Sequence, residues 1–548
     1  MRLNPSLLGL LWIDEKDRTM TLAKPKLPPH VSAPDHGKLD RSFISGVAWT
    51  GAAKWSTQLF TWAATLVAAR LLTPDDYGLV GMGGVYLNLI LLMTEFGLGS
   101  AIVTLKNLSE SQVAQIHTLS VLLGLAGFLI SCIVATPLGV FFAAPDLPNI
   151  VTVLGFGFII NSFQTVPSAL LQKEHRFKAL SIIGAIRGVV QSAAVVTFAW
   201  LGFRYWSLVL GVLLGHTVGT SLTFMVRRHR LAPPRLSSLA QAMRFSGEVL
   251  VSRLSWYAYS NSDFVIAGRL LGKTALGSYN LAWTLAMLPL EKVTTLIGSV
   301  TPAFYAAINE DNNALRRYLL RPIEAITLLL FPSMLGLSLV ANDAVLAVLG
   351  NQWEASIQPL QLLSLYVCVR SIMPLFPQVL TATGDTGFVM WNEIVSMVVL
   401  PAALLWGSRW GITGIAAAWV ISYPVNALPL YWRVHQQIGL THREFLRALL
   451  PAVNGSVFMV FAVEAVKLIL SGKLGPMVGL IVREGPWQTP YYLEVAAILQ
   501  WLLDGHFGHG VRLFVQIASG ASVYVLVVWI FHRKRLLAFR HGIAKIRQ

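Results

Sequence analysis

Five basic residues, Lys54, Arg187, Arg253, Lys292 and Arg370, stand inside long apolar runs of this chain, and three acidic ones, Glu95, Asp263 and Glu291, lie as deep. A charge at the centre of a membrane helix costs about 2.5–3.5 kcal/mol on insertion scales, so such residues normally face a bundle interior or a water-filled cavity. Lys54 has neighbours to match. Thr50, Thr57, Gln58, Thr61 and Thr65 recur with it at helical spacing and form one polar stripe. An offset of 199 residues carries Lys54, Gln58 and Thr61 onto Arg253, Tyr257 and Ser260. Two symmetry-related polar faces, each with one cation, fit a central cavity that attracts an anion such as phosphate. The competing reading is that Lys54 and Arg253 snorkel to the headgroups; the Thr and Gln residues deeper than the lysine argue against it. For Arg187, Lys292 and Arg370 a structural role stands beside ligand contact. The deep carboxylates either pair with these cations or carry a coupling proton or sodium ion.

The elements that hold these residues follow from composition. With 55% hydrophobic and only 12% charged residues among 548, the chain is far more apolar than a soluble domain and reads as an all-α polytopic membrane protein. A span needs about 20 mostly apolar residues. Fourteen segments qualify, at roughly 44–72, 77–103, 113–142, 148–172, 177–202, 205–226, 246–271, 275–308, 319–349, 355–381, 388–408, 411–436, 450–470 and 511–532. The 199-residue offset also maps Arg70-Leu71-Leu72 onto Arg269-Leu270-Leu271, Gly78 onto Gly277 and Gly99-Ser100 onto Gly298-Ser299. The chain is thus an internal duplication. It divides into a cytoplasmic tail (1–42), an N-lobe (43–226), a basic inter-lobe loop (227–245) expected to act as hinge, and a C-lobe (246–436). Two extra helices (437–532), separated by an outward insertion (471–510), and a basic tail (533–548) follow. Even-numbered loops among the first twelve spans carry fifteen basic residues against five in odd-numbered ones, which puts both termini in the cytoplasm.

The same patterning excludes other classes. The net charge of +16 reflects basic loops rather than a nucleic-acid reader, since no such module is present. Cys132 and Cys368 fall in apolar runs and read as packing residues. The His residues show no metal-ligand spacing, and His506 with His509 form an isolated pair in an outward loop. Asp75-Asp76 would suit a sugar-transferring enzyme, but Thr274 and Ala275 replace them in the second copy, so a helix-start pair of carboxylates is the better reading.

Ala69–Leu79 (ARLLTPDDYGL), Phe96–Ser100 (FGLGS), Leu171–Phe177 (LQKEHRF) and Trp410–Trp419 (WGITGIAAAW) together resemble the Wzx-type polysaccharide-export flippases of the multidrug/oligosaccharidyl-lipid/polysaccharide exporter superfamily, over residues 41–440. Within the superfamily, the likeness is to the colanic-acid-type exporters. The resemblance implies two pseudo-symmetric six-helix bundles of the MATE-like type facing each other, plus two C-terminal helices. It implies alternating access and a cargo, undecaprenyl-diphosphate-linked oligosaccharide, moved across the bacterial cytoplasmic membrane for capsule, exopolysaccharide or lipopolysaccharide assembly. Membrane lipids and the polysaccharide polymerase and export machinery are the implied partners, and no cofactor beyond a coupling H+ or Na+ is expected. Lys54 and Arg253 then become the diphosphate ligands, with Arg187, Lys292 and Arg370 as further cavity cations. Gln58, Thr61, Tyr257 and Ser260 line the sugar path, and Asp263 is the first choice for a cation site, with Glu291 and Glu95 behind it. The alternatives are a MATE-like antiporter of drug cations, which would want a carboxylate-dominated cavity, and a polyprenyl-dependent glycosyltransferase or polymerase. The two extra helices match no motif.

Overall fold

The computed structural model describes residues 57–95, 98–105, 108–174, 176–234, 257, 259–298, 301, 304–305, 308–470 and 506–546. Lys54, Arg253, the tail 1–42 and most of the insertion 471–510 lie outside these residues. Every regular element among them is helical. In chain order they are α1 (57–71), α2 (Pro74–Glu95), α3 (Leu98–Thr104), α4 (Glu110–Phe141), α5 (Leu147–Lys173), α6 (Phe177–Trp200) and α7 (Tyr205–Val226). Then come α8 (Ser262–Gly298), α9 (Asn312–Ala344), α10 (Ile357–Arg370), α11 (Leu375–Ala382), α12 (Thr386–Gly407), α13 (Gly411–Ile438), α14 (His442–Leu470) and α15 (His506–Ile546). Among the described residues nine helical stretches are long and apolar enough to cross a membrane, and one of them, Thr386–Ile438, contains two helices in series.

Local chemistry sets the ends. Ser109 caps α4 in a reciprocal box with Gln112, and Thr441 with Glu444 does the same before α14. Asp311 accepts from the amides of Asn313 and Ala314 at the start of α9. Gly272 adopts φ 84° and breaks α8 into two arms, a backbone that a residue with a Cβ rarely takes. The structure interrupts one segment that the apolar pattern reads as a single span: 355–381 is split at Pro374, which precedes α11 and cannot donate an amide to the turn before it. The last helix runs past the expected span end, with a kink at His532 (φ −125°) where its basic stretch begins.

Helices α2 and α4–α7 pack on one another as an N-terminal set, α8–α13 as a C-terminal set, and α14 with α15 lie together against α9. The sets meet where α2 crosses α8. Small residues decide how closely. A Cβ on Gly78 would collide with the backbone carbonyl of Lys273, and one on Gly277 with that of Pro74. These are reciprocal contacts: the 199-residue offset maps Gly78 onto Gly277 and Pro74 onto Lys273, so a pseudo-two-fold axis passes between the two glycines. The inter-lobe loop, read as a hinge, is tied at its start. Arg227 Nε lies 2.8 Å from Glu174 Oε1, and the Ala232 amide donates to Thr118 Oγ1 at 3.1 Å.

Candidate functional site

In the N-terminal set the side chains of α6 fill notches in α7. Val195, Gln191 and Arg187 sit against Gly211, Gly215 and Gly219, one helical turn apart on each helix and running antiparallel. That ladder lays Arg187 against α7, ten residues into α6 and about 15 Å along it, which is mid-bilayer depth. One guanidinium nitrogen lies 2.9 Å from His216 Nε2. Arginine has no acceptor, so the imidazole accepts there and keeps its proton on the other nitrogen. The next residue, Gly188, faces Thr57 and Thr61 of α1, so the expected polar stripe borders this pair. The Thr61 and Thr65 hydroxyls donate back to the carbonyls of Thr57 and Thr61 at 3.0 and 2.9 Å, and Gln58 is half-buried.

The C-terminal set holds a second polar centre inside an aromatic cage. Asp263, fully buried, accepts from Tyr279 Oη at 2.7 Å, Trp419 Nε1 at 3.0 Å and its neighbour's amide at 2.9 Å. Burying a carboxylate is costly unless donors surround it, and these donors meet that need. Arg370 closes α10, donates to Tyr366 Oη at 2.5 Å and lies over the Tyr366 and Trp283 rings at 5.6 and 5.9 Å from their centroids. Cation–π contact of this kind stabilises a guanidinium away from water. The tilted rings of Trp283, Tyr366 and Trp419 lie 5.1–6.0 Å apart, centroid to centroid, so acid and base share one cage without touching. Among the described residues neither Arg187 nor Arg370 forms an ion pair.

Other expected site residues are distributed differently. The Tyr257 hydroxyl donates to the Val85 carbonyl of α2 at 2.7 Å, which makes Tyr257 a tie between the sets. Ser260, also buried, donates to the Tyr257 carbonyl at 3.3 Å. Glu291 is exposed. Lys54 and Arg253 are outside the described residues, as are the side chains of Glu95 and Lys292. Reading the chain alone missed His216 and the cage aromatics. The four-residue glycine spacing opposite Arg187 was the available signal for the first; the second needed knowledge of which helices meet.

One end of the molecule, that of the turns at 72–74 and 272, is held shut by a second group of contacts. The carbonyls closing α1 at Ala69, Arg70 and Leu72 receive Gln352 Nε2 at 3.1–3.2 Å, and Ala69 also receives Trp353 Nε1 at 2.7 Å. In return Arg70 donates to Ala347 and Val348 at 3.2 and 3.3 Å, in the turn after α9. Its repeat mate Arg269 lies over Phe141, at the end of α4, 5.5 Å from the ring centroid. Each arginine of the duplicated motif therefore grips the end of a helix in the opposite set. The carboxylate of Asp75 accepts from Thr274 Oγ1 at 2.5 Å and lies 3.1 Å from Lys273 Nζ. The Thr274 hydroxyl, aided by Lys273, holds this carboxyl below its usual range.

Residues 67–358 match a family model described as "Polysaccharide biosynthesis protein". The chain belongs to that family. It is 25% identical over 448 residues to "Lipopolysaccharide biosynthesis protein WzxC" of Escherichia coli (strain K12), covering 79% of this chain and 89% of the relative. It is 23% identical over 504 residues to "Succinoglycan biosynthesis transport protein ExoT" of Rhizobium meliloti (strain 1021), covering 90% and 94%. The structure superposes on "Lipid II flippase MurJ, inward closed conformation" with a TM-score of 0.67 at 13% identity, over 89% of this chain and all of that one. At that identity the likeness is one of fold, and it agrees with the paired-bundle architecture that the resemblance implied. The family member described here is a multi-pass helical membrane protein.

Proposed function

We propose that this protein is a flippase that moves an undecaprenyl-diphosphate-linked oligosaccharide across the bacterial cytoplasmic membrane by alternating access. The observation that carries the reading is one half-buried arginine at membrane depth in each set, Arg187 and Arg370, held by neutral partners and by no carboxylate among the described residues. A guanidinium with donors left over in a low-dielectric wall favours a diphosphate; Arg370 shares its cage with the buried Asp263 without an ion pair, so its donors stay available. A drug-cation antiporter would want the reverse, and the buried Asp263 spends both oxygens on protein donors. Lys54 and Arg253, which the chain pattern makes the first choice for the diphosphate, lie outside the described residues and enter this reading from the sequence alone. The family and the names of the two relatives, both polysaccharide-biosynthesis proteins and one a transport protein, support the cargo class.

In this reading six spans form each lobe, 43–226 and 246–436, both termini lie in the cytoplasm, and the closed end faces outward. Asp263 is the candidate coupling site for a proton or sodium ion, since protonation or cation binding would release Tyr279 and Trp419 from it. The polymerase and export machinery would receive the cargo on the outer side. The test is surface-polysaccharide export in cells whose only copy carries Lys54→Ala with Arg253→Ala, or Arg187→Ala with Arg370→Ala. Lost export at normal membrane levels is expected. Normal export in both double variants would remove the diphosphate assignment.

A further inference from the structure

The two C-terminal helices, which no motif explains, reach the closed end of the molecule. Helix α15 packs on α9 and on the turn Val345–Leu349 that follows it, and that turn carries the Ala347 and Val348 carbonyls gripped by Arg70. The anchor is polar and buried. Asp343, two residues before the turn, accepts from His509 Nδ1 at 2.9 Å and from Gln516 Nε2 at 2.8 Å. Gln516 is 2% exposed and Asp343 8%. A buried carboxylate must keep its donors, so α15 cannot slide along α9 without moving the turn or leaving Asp343 unpaired. The rest of the pair is docked by small residues: Gly455 receives Tyr524 and Val528, Gly520 receives Val463 and Met459, and Tyr524 Oη donates to the Leu328 carbonyl at 2.6 Å.

We infer that α14 and α15 are a buttress for the gate, in which His509 and Gln516 act as positioning residues that hold the α9 turn where Arg70 and Gln352 can latch it. Helix ends leave carbonyls that need donors. Arg70, Gln352 and Trp353 supply those donors across the lobes only while the turn stays in place. Removing the buttress therefore shifts the population toward the open gate without touching any gate contact directly. The inference rests on the transport reading only for what passes the gate; closure itself is read without cargo.

The test uses the full chain in nanodiscs, with Cys132→Ser and Cys368→Ser, and spin labels on cysteines replacing Leu71 and Leu270, a repeat-related pair that are 44% and 54% exposed. Pulsed electron resonance then gives the closed and open populations. His509→Ala with Gln516→Leu is expected to raise the open-to-closed ratio by about fivefold or more. The milder Asp343→Asn moves it the same way, and His509→Asn, which restores an amide donor, returns it toward the parent. Val166→Ala, a fully buried cut in the separate cluster of α3, α4 and α5, leaves it unchanged. An unchanged ratio in the double variant and in Asp343→Asn, with thermal unfolding at the parent temperature, overturns the inference. An equal shift in Val166→Ala overturns it as well, because general loosening would then explain the effect. Loss of export with normal gate populations would instead count against the cargo assignment alone.

Discussion

Arg187 and Asp75 show how a side chain's neighbours decide its task. Arg187 stood out in the chain as a lone charge in an apolar run, and its depth was readable from the residues flanking it. Its partner His216 was not, because contact between adjacent helices depends on antiparallel register. Gly211, Gly215 and Gly219 set that register by accepting Val195, Gln191 and Arg187. Gly219→Leu is accordingly expected to push Arg187 out of its place and cut export severely, whereas Gly184→Ala on α6, whose Cβ would meet open space, leaves it intact; export of surface polysaccharide checks both. Asp75 supports a pH prediction. Closure holds its carboxyl below the usual value of about 3.8, so the closed gate binds fewer protons there than the open one. The stabilisation is therefore present above about pH 4 and lost as pH falls through the lowered value. Labels at 71 and 270 should report a rising open population in that acid range, and Asp75→Asn should flatten the response. A response that survives in Asp75→Asn would assign the effect elsewhere.

At the scale of elements, the crossing of α2 and α8 is where the duplication becomes structure. The 199-residue offset was visible in the chain, as was the pairing of Gly78 with Gly277. That these two glycines touch was not visible, since a repeat states equivalence and not contact. Their contact is close enough that Gly78→Ala or Gly277→Ala must move one backbone away from the other. Either substitution is expected to hold the gate ajar and to destabilise the closed state by at least about 1–3 kcal/mol, the usual cost of overpacking. Gly84→Ala, whose Cβ meets nothing within 4 Å, is the control and should also gain slightly in helix propensity. The label populations and thermal unfolding read both. A closed gate of parental stability in Gly78→Ala would mean that the helices cross elsewhere. The broken span at α10–α11 was hidden for a related reason: an apolar run of the right length reports that a segment can cross, and says little about where it bends.

For the molecule as a whole, magnitudes favour a gate that can work. The inter-lobe hydrogen bonds from Arg70, Gln352, Trp353 and Thr274 contribute about 0.5–1.5 kcal/mol each, a few kcal/mol in sum. A ligand that prefers one state by a thousandfold, about 4 kcal/mol, can reverse such a closure. Apolar residues of both sets, Leu79 and Met82 with Leu276 and Leu281 among them, share one buried cluster, and the ligand's preference must exceed that contribution as well. Composition and periodicity were enough to read the membrane class and the doubling. The gate and the buttress depend on which ends of distant helices meet, and no local pattern encodes that. The two lobes are proposed to carry a diphosphate-linked glycan past their arginines. The direct measurement is translocation of a fluorescent polyprenyl-diphosphate oligosaccharide in proteoliposomes, read by a lectin added outside. Movement by the parent protein and its loss in Arg187→Gln with Arg370→Gln at equal incorporation are expected. Parental rates in that double variant, or movement of lipophilic cations in place of the glycan lipid, would contradict it.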